Sequence, residues 1–171
     1  PLRRQRQMCI RDRLYPMVKT IRKKDIKRLM TREGIPKNDI FGPYQSAYRA
    51  KEILKLTRPI FRWCDHPLTK DQYELLQKQT SEKKTFIPRP CFYYHIQRCS
   101  GACVGKISPN EYHESITQLK NFLKGKTKEV LKFFKEEMKG YSEIREYEKA
   151  AYFRDAIRLI EGFLKPTFKL K

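Results

Sequence analysis

The sequence predicts an α+β protein that is mostly α, and three observations carry that expectation. Amphipathic helical periods fill most of the second half. Short β-branched runs, broken by glycine and proline, are confined to the first fifty residues. Between the two lies a dense cysteine run with no period of its own.

The elements follow in chain order. Residues 1–13 are arginine-rich and show no helical or strand period, so a disordered basic arm is expected there, or a segment foreign to the protein. Cys9 is set aside with it. Leu14–Ile21 reads as a short strand, and a second strand is expected around Lys27–Thr31. After a turn at Gly34-Ile35-Pro36, the pair Gly42-Pro43 is expected to stop the strand that begins at Phe41. Ser46 then caps a helix with Ala47, Ala50, Ile53 and Leu54 on one face.

Residues 65–90 form a long polar connection holding a short helix at Asp71–Gln79. Ser108-Pro109-Asn110-Glu111 is a capping box with proline at the first helical position, opening a helix that runs to Leu123 and stops at Gly125. Thr127 caps a further helix to Gly140, with Val130, Leu131, Phe134 and Met138 on one stripe. A last helix from Glu146 carries Tyr147, Ala150, Ala151, Ile157, Leu159 and Ile160, so 127–164 is expected to fold as an antiparallel helical hairpin. A hairpin this small buries little apolar area by itself, which makes its stripe a docking surface for a partner helix pair.

Charge bounds the partners. The 171 residues hold 39 Lys+Arg and 19 Asp+Glu, a net charge of +20. Nucleic acid is the expected partner, since each neutralised phosphate releases counterions. The excess is concentrated in residues 1–62, which have 18 basic and 5 acidic residues, whereas 127–163 has 8 of each. Arg22, Lys23, Lys24, Lys27 and Arg28 are the candidate DNA-binding residues. No apolar run is long enough to span a bilayer and no signal peptide is evident, so a cytoplasmic protein with reduced thiols is expected.

The chemistry-bearing constellation is Cys64, Cys91, Cys99 and Cys103. Four thiolates hold a tetrahedral zinc ion or an iron–sulfur cluster without help, and the C-x3-C pair in a glycine-rich turn favours ligation over inert thiols. Spacing alone does not choose between the two metals. The carboxylates are scattered, and His66, His95 and His113 have no evident carboxylate partner, so no catalytic residue is assigned.

Taken together, Phe41-Gly42-Pro43-Tyr44, Ile60-Phe61-Arg62-Trp63-Cys64, Arg89-Pro90-Cys91, Cys99-x3-Cys103 and Val104-Gly105 resemble the UvrC excinuclease family of bacterial nucleotide excision repair. Tyr147–Arg158 resembles that family's UVR motif. The resemblance implies a [4Fe–4S] cluster on the four cysteines, with zinc as the alternative. It also implies DNA as substrate and docking of the hairpin on the damage-loading protein UvrB, through Tyr147, Ala150, Ala151, Arg154 and Asp155. On it, 14–62 would be the end of a GIY-YIG nuclease domain, 63–126 a cysteine-rich region with a helix, and 127–164 the UVR hairpin. Both nuclease active sites would lie outside the chain. The sequence departs from the family in a longer Cys64–Cys91 connection, and in Gln97 and Ala102 where glycine and proline are commoner; this weakens Cys64 most. The alternative is a non-enzymatic zinc-binding adaptor with a UVR-type hairpin.

Overall fold

The computed structural model describes residues 6–11, 17–22, 25–33, 39–44, 46–78 and 89–164. They form two compact units, with the boundary between Thr117 and Gln118. The described residues are mostly helical, with one small sheet. Strands β1 (Arg6–Arg11), β2 (Met17–Arg22) and β3 (Ile40–Tyr44) make an antiparallel sheet in the order β2-β1-β3.

The central strand corrects the expectation of disorder in residues 1–13, because β1 falls in that segment. Its apolar alternation is only Met8 and Ile10, too short to stand out among the arginines. Strand formation here is decided by partners on both sides: Met8 faces Thr20 of β2 and Phe41 of β3, and Cys9 faces Lys19 and Ile40. A second correction concerns Lys27–Thr31. These residues lie in helix α1 (Ile26–Glu33), not in a strand. Ile26, Leu29 and Met30 recur at i, i+3, i+4, the helical period, and this short run outweighs the β-branched neighbours. Third, Gly42 and Pro43 do not stop β3 but lie inside it. β3 is an edge strand, where a missing N–H is tolerated, and Gly42 takes φ +113.

Helix α2 (Ala47–Phe61) opens with Ala50 N–H donating to Ser46 O, and buries Ala50 and Leu54. It runs past Pro59 and is longer than its four-residue apolar pattern suggested. Helix α3 (Lys70–Lys78) lies within a residue of its expected start and end. A single turn, α4 (Phe92–His95), follows the undescribed stretch 79–88. Helix α5 (Pro109–Leu123) has the capping box: Glu111 N–H donates to Ser108 Oγ at 3.3 Å, and Ser108 N–H donates back to Glu111 Oε2 at 3.1 Å. Gly125 follows at φ +82, the left-handed conformation that ends helices.

In the second unit α6 (Thr127–Glu143) and α7 (Tyr147–Leu164) form the hairpin. Thr127 is the first helical residue rather than the cap, which is Lys126, whose side chain does not cap the backbone but donates to the Glu129 carboxylate at 3.1 Å. Val130 and Phe134 from α6 and Ala156, Ile157 and Ile160 from α7 are buried. At roughly 1.5–3 kcal/mol for each large apolar side chain, this seam joins the two helices. Phe153 adds an edge contact to Phe134 at 5.4 Å and a stacked one to Tyr141 at 5.6 Å. Leu159, expected on the stripe, is 41% exposed, and Tyr147 is 64% exposed. Among the described residues no helix is long and apolar enough to cross a membrane.

Candidate metal centre

The four predicted cysteines converge. Their Sγ atoms all lie within 4.8 Å of one another, and Cys64, Cys99 and Cys103 are buried. Among the described residues this is the one group of three or more His, Cys, Asp or Glu side chains placed to hold a metal ion. Cys64, the residue most doubtful in sequence, is fully buried and a full member. Cys9 lies in β1 and is not among them.

Local hydrogen bonds put each cysteine in place. Cys64 follows the C-terminus of α2, where Arg62 turns the chain through φ +43. Ser115 Oγ donates to Phe61 O at 2.6 Å and Cys64 N–H donates to Tyr112 Oη at 2.8 Å, so α5 grips this segment from one side. Cys91 sits immediately before α4, its carbonyl accepting from Tyr94 N–H. Arg98 N–H closes a turn onto Tyr93 O, and Ser100 N–H donates to Arg62 O, tying the Cys99 loop back to Cys64. Gly101 at φ +83 lets the chain pass the Tyr94 ring, where a Cβ would come within 2.8 Å of a ring carbon. Cys103 lies in the turn that follows, pinned by Leu68 N–H to Ala102 O and Val104 N–H to Gly101 O.

The thiols influence one another. The Cys99 thiol is drawn down to about 6, chiefly by a hydrogen bond donated from Cys64, with Gly101 N–H donating to its sulfur at 3.5 Å as a further cause. Cys64 is pushed well up by giving that bond and by burial, and Cys91 is pushed up to about 11 by burial. The thiolate is the form that binds metal, and Cys99 is the sulfur the site draws toward it.

The residues fit a thiolate-bound metal, and two observations bear on which. A zinc ion at about 2.3 Å from each sulfur sets the sulfurs roughly 3.8 Å apart, in keeping with the close spacing. A four-iron cube carries its thiolates at its corners and would need the set to open outward. On the other side, Trp63 Nε1 and Ser100 Oγ are buried without a hydrogen-bond partner, each next in sequence to a ligand. Inorganic sulfides accept such donors, whereas a bare zinc tetrathiolate offers only its four thiolates.

Sequence reading did not single out Arg58, which braces this site. Its guanidinium lies 3.6 Å from the Trp63 ring centroid and 3.9 Å from that of Tyr93, and donates to Asp65 Oδ1 at 2.7 Å. Only its place in the Arg58-Pro59-Ile60-Phe61 block before Cys64 could have pointed to it.

The other candidates are dispersed. Arg22 ends β2, Lys27 and Arg28 are exposed on α1, and Lys23 and Lys24 lie outside the described residues. Arg28 approaches Asp25 at 3.8 Å. On the hairpin, Tyr147, Ala150, Ala151 and Arg154 line a shallow groove with Met138, Lys139 and Ser142, of about 460 Å³. Arg154 Nε donates to Asp155 at 3.0 Å, and that hydrogen bond holds the Asp155 carboxyl below its ordinary range.

A family model described as the UvrC/Cho excinuclease middle domain matches residues 8–122. That match begins within β1. A UvrABC system protein C from Clostridium beijerinckii is 36% identical over 153 residues, covering 88% of this chain and 23% of that protein. The same-named protein from Geotalea daltonii is 36% identical over 147 residues, 86% of this chain and 20% of its own length. That from Acetivibrio thermocellus is 30% identical over 154 residues, with 88% and 23% covered. The chain therefore spans about a quarter of the length of the curated relatives it matches. No solved structure matches it significantly.

Proposed function

The chain belongs to the UvrC/Cho excinuclease family, and from that premise we propose that it serves nucleotide excision repair as a DNA-bound scaffold. In this reading the four-cysteine centre holds a [4Fe–4S] cluster and the α6–α7 hairpin docks UvrB. Incision on both sides of a lesion is the activity this reading gives to the whole protein, of which the chain spans about a quarter of a relative's length. The convergence of four thiols within 4.8 Å carries the metal part of the reading. The centre draws three stretches of chain together, around Cys64, around Cys91 and at Cys99–Cys103, and in this reading acts as a structural clasp. When bound, a cluster adds redox sensitivity to that clasp.

Metal analysis decides the centre. Anaerobically purified chain is expected to carry four irons and inorganic sulfide, with broad absorption in the blue. Zinc is the second reading, favoured by the sulfur spacing. Colourless protein with one zinc per chain and no sulfide would establish it.

The hairpin reading rests on the exposed Tyr147 and on Ala150 and Ala151, whose small side chains let a partner helix approach. Tyr147→Asp and Ala151→Glu are expected each to cut UvrB capture in a pull-down at least about tenfold, as buried charge at a helix interface does. Unchanged capture by both would remove the hairpin as the docking site. The basic candidates Arg22, Lys23, Lys24, Lys27 and Arg28 are assigned to DNA phosphates on charge alone.

A further inference from the structure

The loop between Cys91 and Cys103 presents a face that the metal reading does not use. Phe92 is 71% exposed and Ile96, one turn later on the same side of α4, is 41% exposed. Large apolar side chains are ordinarily turned inward, and this pair stands on a segment whose backbone is pinned on both sides. Cys91 precedes it, and the turn after it is closed by Arg98 N–H on Tyr93 O. Arg89 and Arg98 flank the pair in sequence and Lys106 follows the last cysteine, and all three are exposed. From residue 89 to residue 110 the sequence contains no Asp or Glu. An exposed ring flanked by cations and free of acidic residues is complementary to a chain of phosphates with unstacked bases. A flat apolar protein partner would call for neither the charge nor the absence of carboxylates.

We propose that this face binds single-stranded DNA, with Phe92 stacking on a base and Arg89, Arg98 and Lys106 meeting the flanking phosphates. The inference rests on the excision-repair reading and adds to it a specific contact for unpaired strand. An intact duplex keeps its base faces covered, so it can use the cations but not the ring. The four-cysteine centre gains a second role here, holding the stacking platform rigid, so that little ordering is left for the moment of binding.

The test is fluorescence anisotropy with labelled oligo(dT) and a blunt duplex of matched length, using the whole chain with its metal in place. Phe92→Ala is expected to weaken oligo(dT) binding about tenfold and leave the duplex within about twofold, while Phe92→Trp restores the wild-type value. Arg98→Gln is expected to lower the slope of log K against log salt by about 0.7. Unchanged metal content and far-UV dichroism show that Phe92→Ala leaves the fold intact. Oligo(dT) affinity unaltered by Phe92→Ala overturns the proposal, as does wild-type chain that does not bind oligo(dT). Should Phe92→Ala reduce UvrB capture and spare DNA, the face is a protein contact and the proposal fails. Failure here with Tyr147→Asp still blocking capture leaves the repair reading standing; loss of both would remove that reading too.

Discussion

Replacing Cys64 with serine is expected to strip the chain of its stoichiometric metal and lower its melting temperature by about 10 °C. The four sulfurs form one set, so losing any of them leaves an incomplete coordination shell. Disturbing even a partner behind a metal ligand costs 10–100-fold in affinity, and a ligand itself should cost at least about 100-fold. Part of the folding energy goes with the metal, because an unfolded chain does not present the preformed site. Cys64 is the informative choice, since the long Cys64–Cys91 connection made it the least secure ligand in sequence. Metal analysis and a thermal melt check the outcome; Cys9→Ser should leave the metal content unchanged. Wild-type melting that is unmoved by a chelator would show that the clasp adds no stability. Loading should also weaken as pH falls, because Cys64 and Cys91, both pushed upward, must surrender protons to the solvent on binding. The decline should steepen below about 6, where Cys99 regains its own proton.

What could be read from sequence divides along physical lines. The capping box at Ser108–Glu111 and the helices after it were legible because their signals are local: a cap, an apolar period and a stop. The four ligands were legible because thiols at that density have few other uses. The sheet was not. β1 pairs with Met17–Arg22 on one side and Ile40–Tyr44 on the other, and no window around Met8 and Ile10 contains those partners. The expected strand at Lys27–Thr31 failed for a different reason: Ile26, Leu29 and Met30 alone carry the helical period of α1, a signal local but only three residues long. Leu159 was misplaced because a stripe drawn along one helix does not say where the second helix lies. The exposure of Phe92 was also hidden, since an aromatic in a cysteine loop ordinarily reads as core.

Arg58 shows the same limit at the site itself, and its replacement should both destabilise the chain and loosen the metal centre. It is an arginine in a basic chain, yet it is 7% exposed and wedged between Trp63 and Tyr93. Those two rings precede Cys64 and follow Cys91, so one guanidinium holds together the stretches bearing two ligands. Desolvating a guanidinium is unfavourable unless it is matched on all sides. Here two ring faces and the Asp65 carboxylate at 2.7 Å do the matching. Arg58→Ala removes two cation–π contacts, each worth about 0.5–2 kcal/mol, and opens a void between the rings. Asp65 is 39% exposed and can turn to water, which discounts the loss of its partner. A destabilisation of about 3 kcal/mol results, or roughly 6–12 °C in a chain of this size. Arg58→Lys keeps the charge but lacks a plane to lie flat against both rings, so it should recover less than half of the loss. The measurement that separates bracing from simple packing is metal release to a chelator. Both variants should lose metal faster than wild type at temperatures well below their melting points. Wild-type release rates in a destabilised Arg58→Ala would assign Arg58 to the core alone.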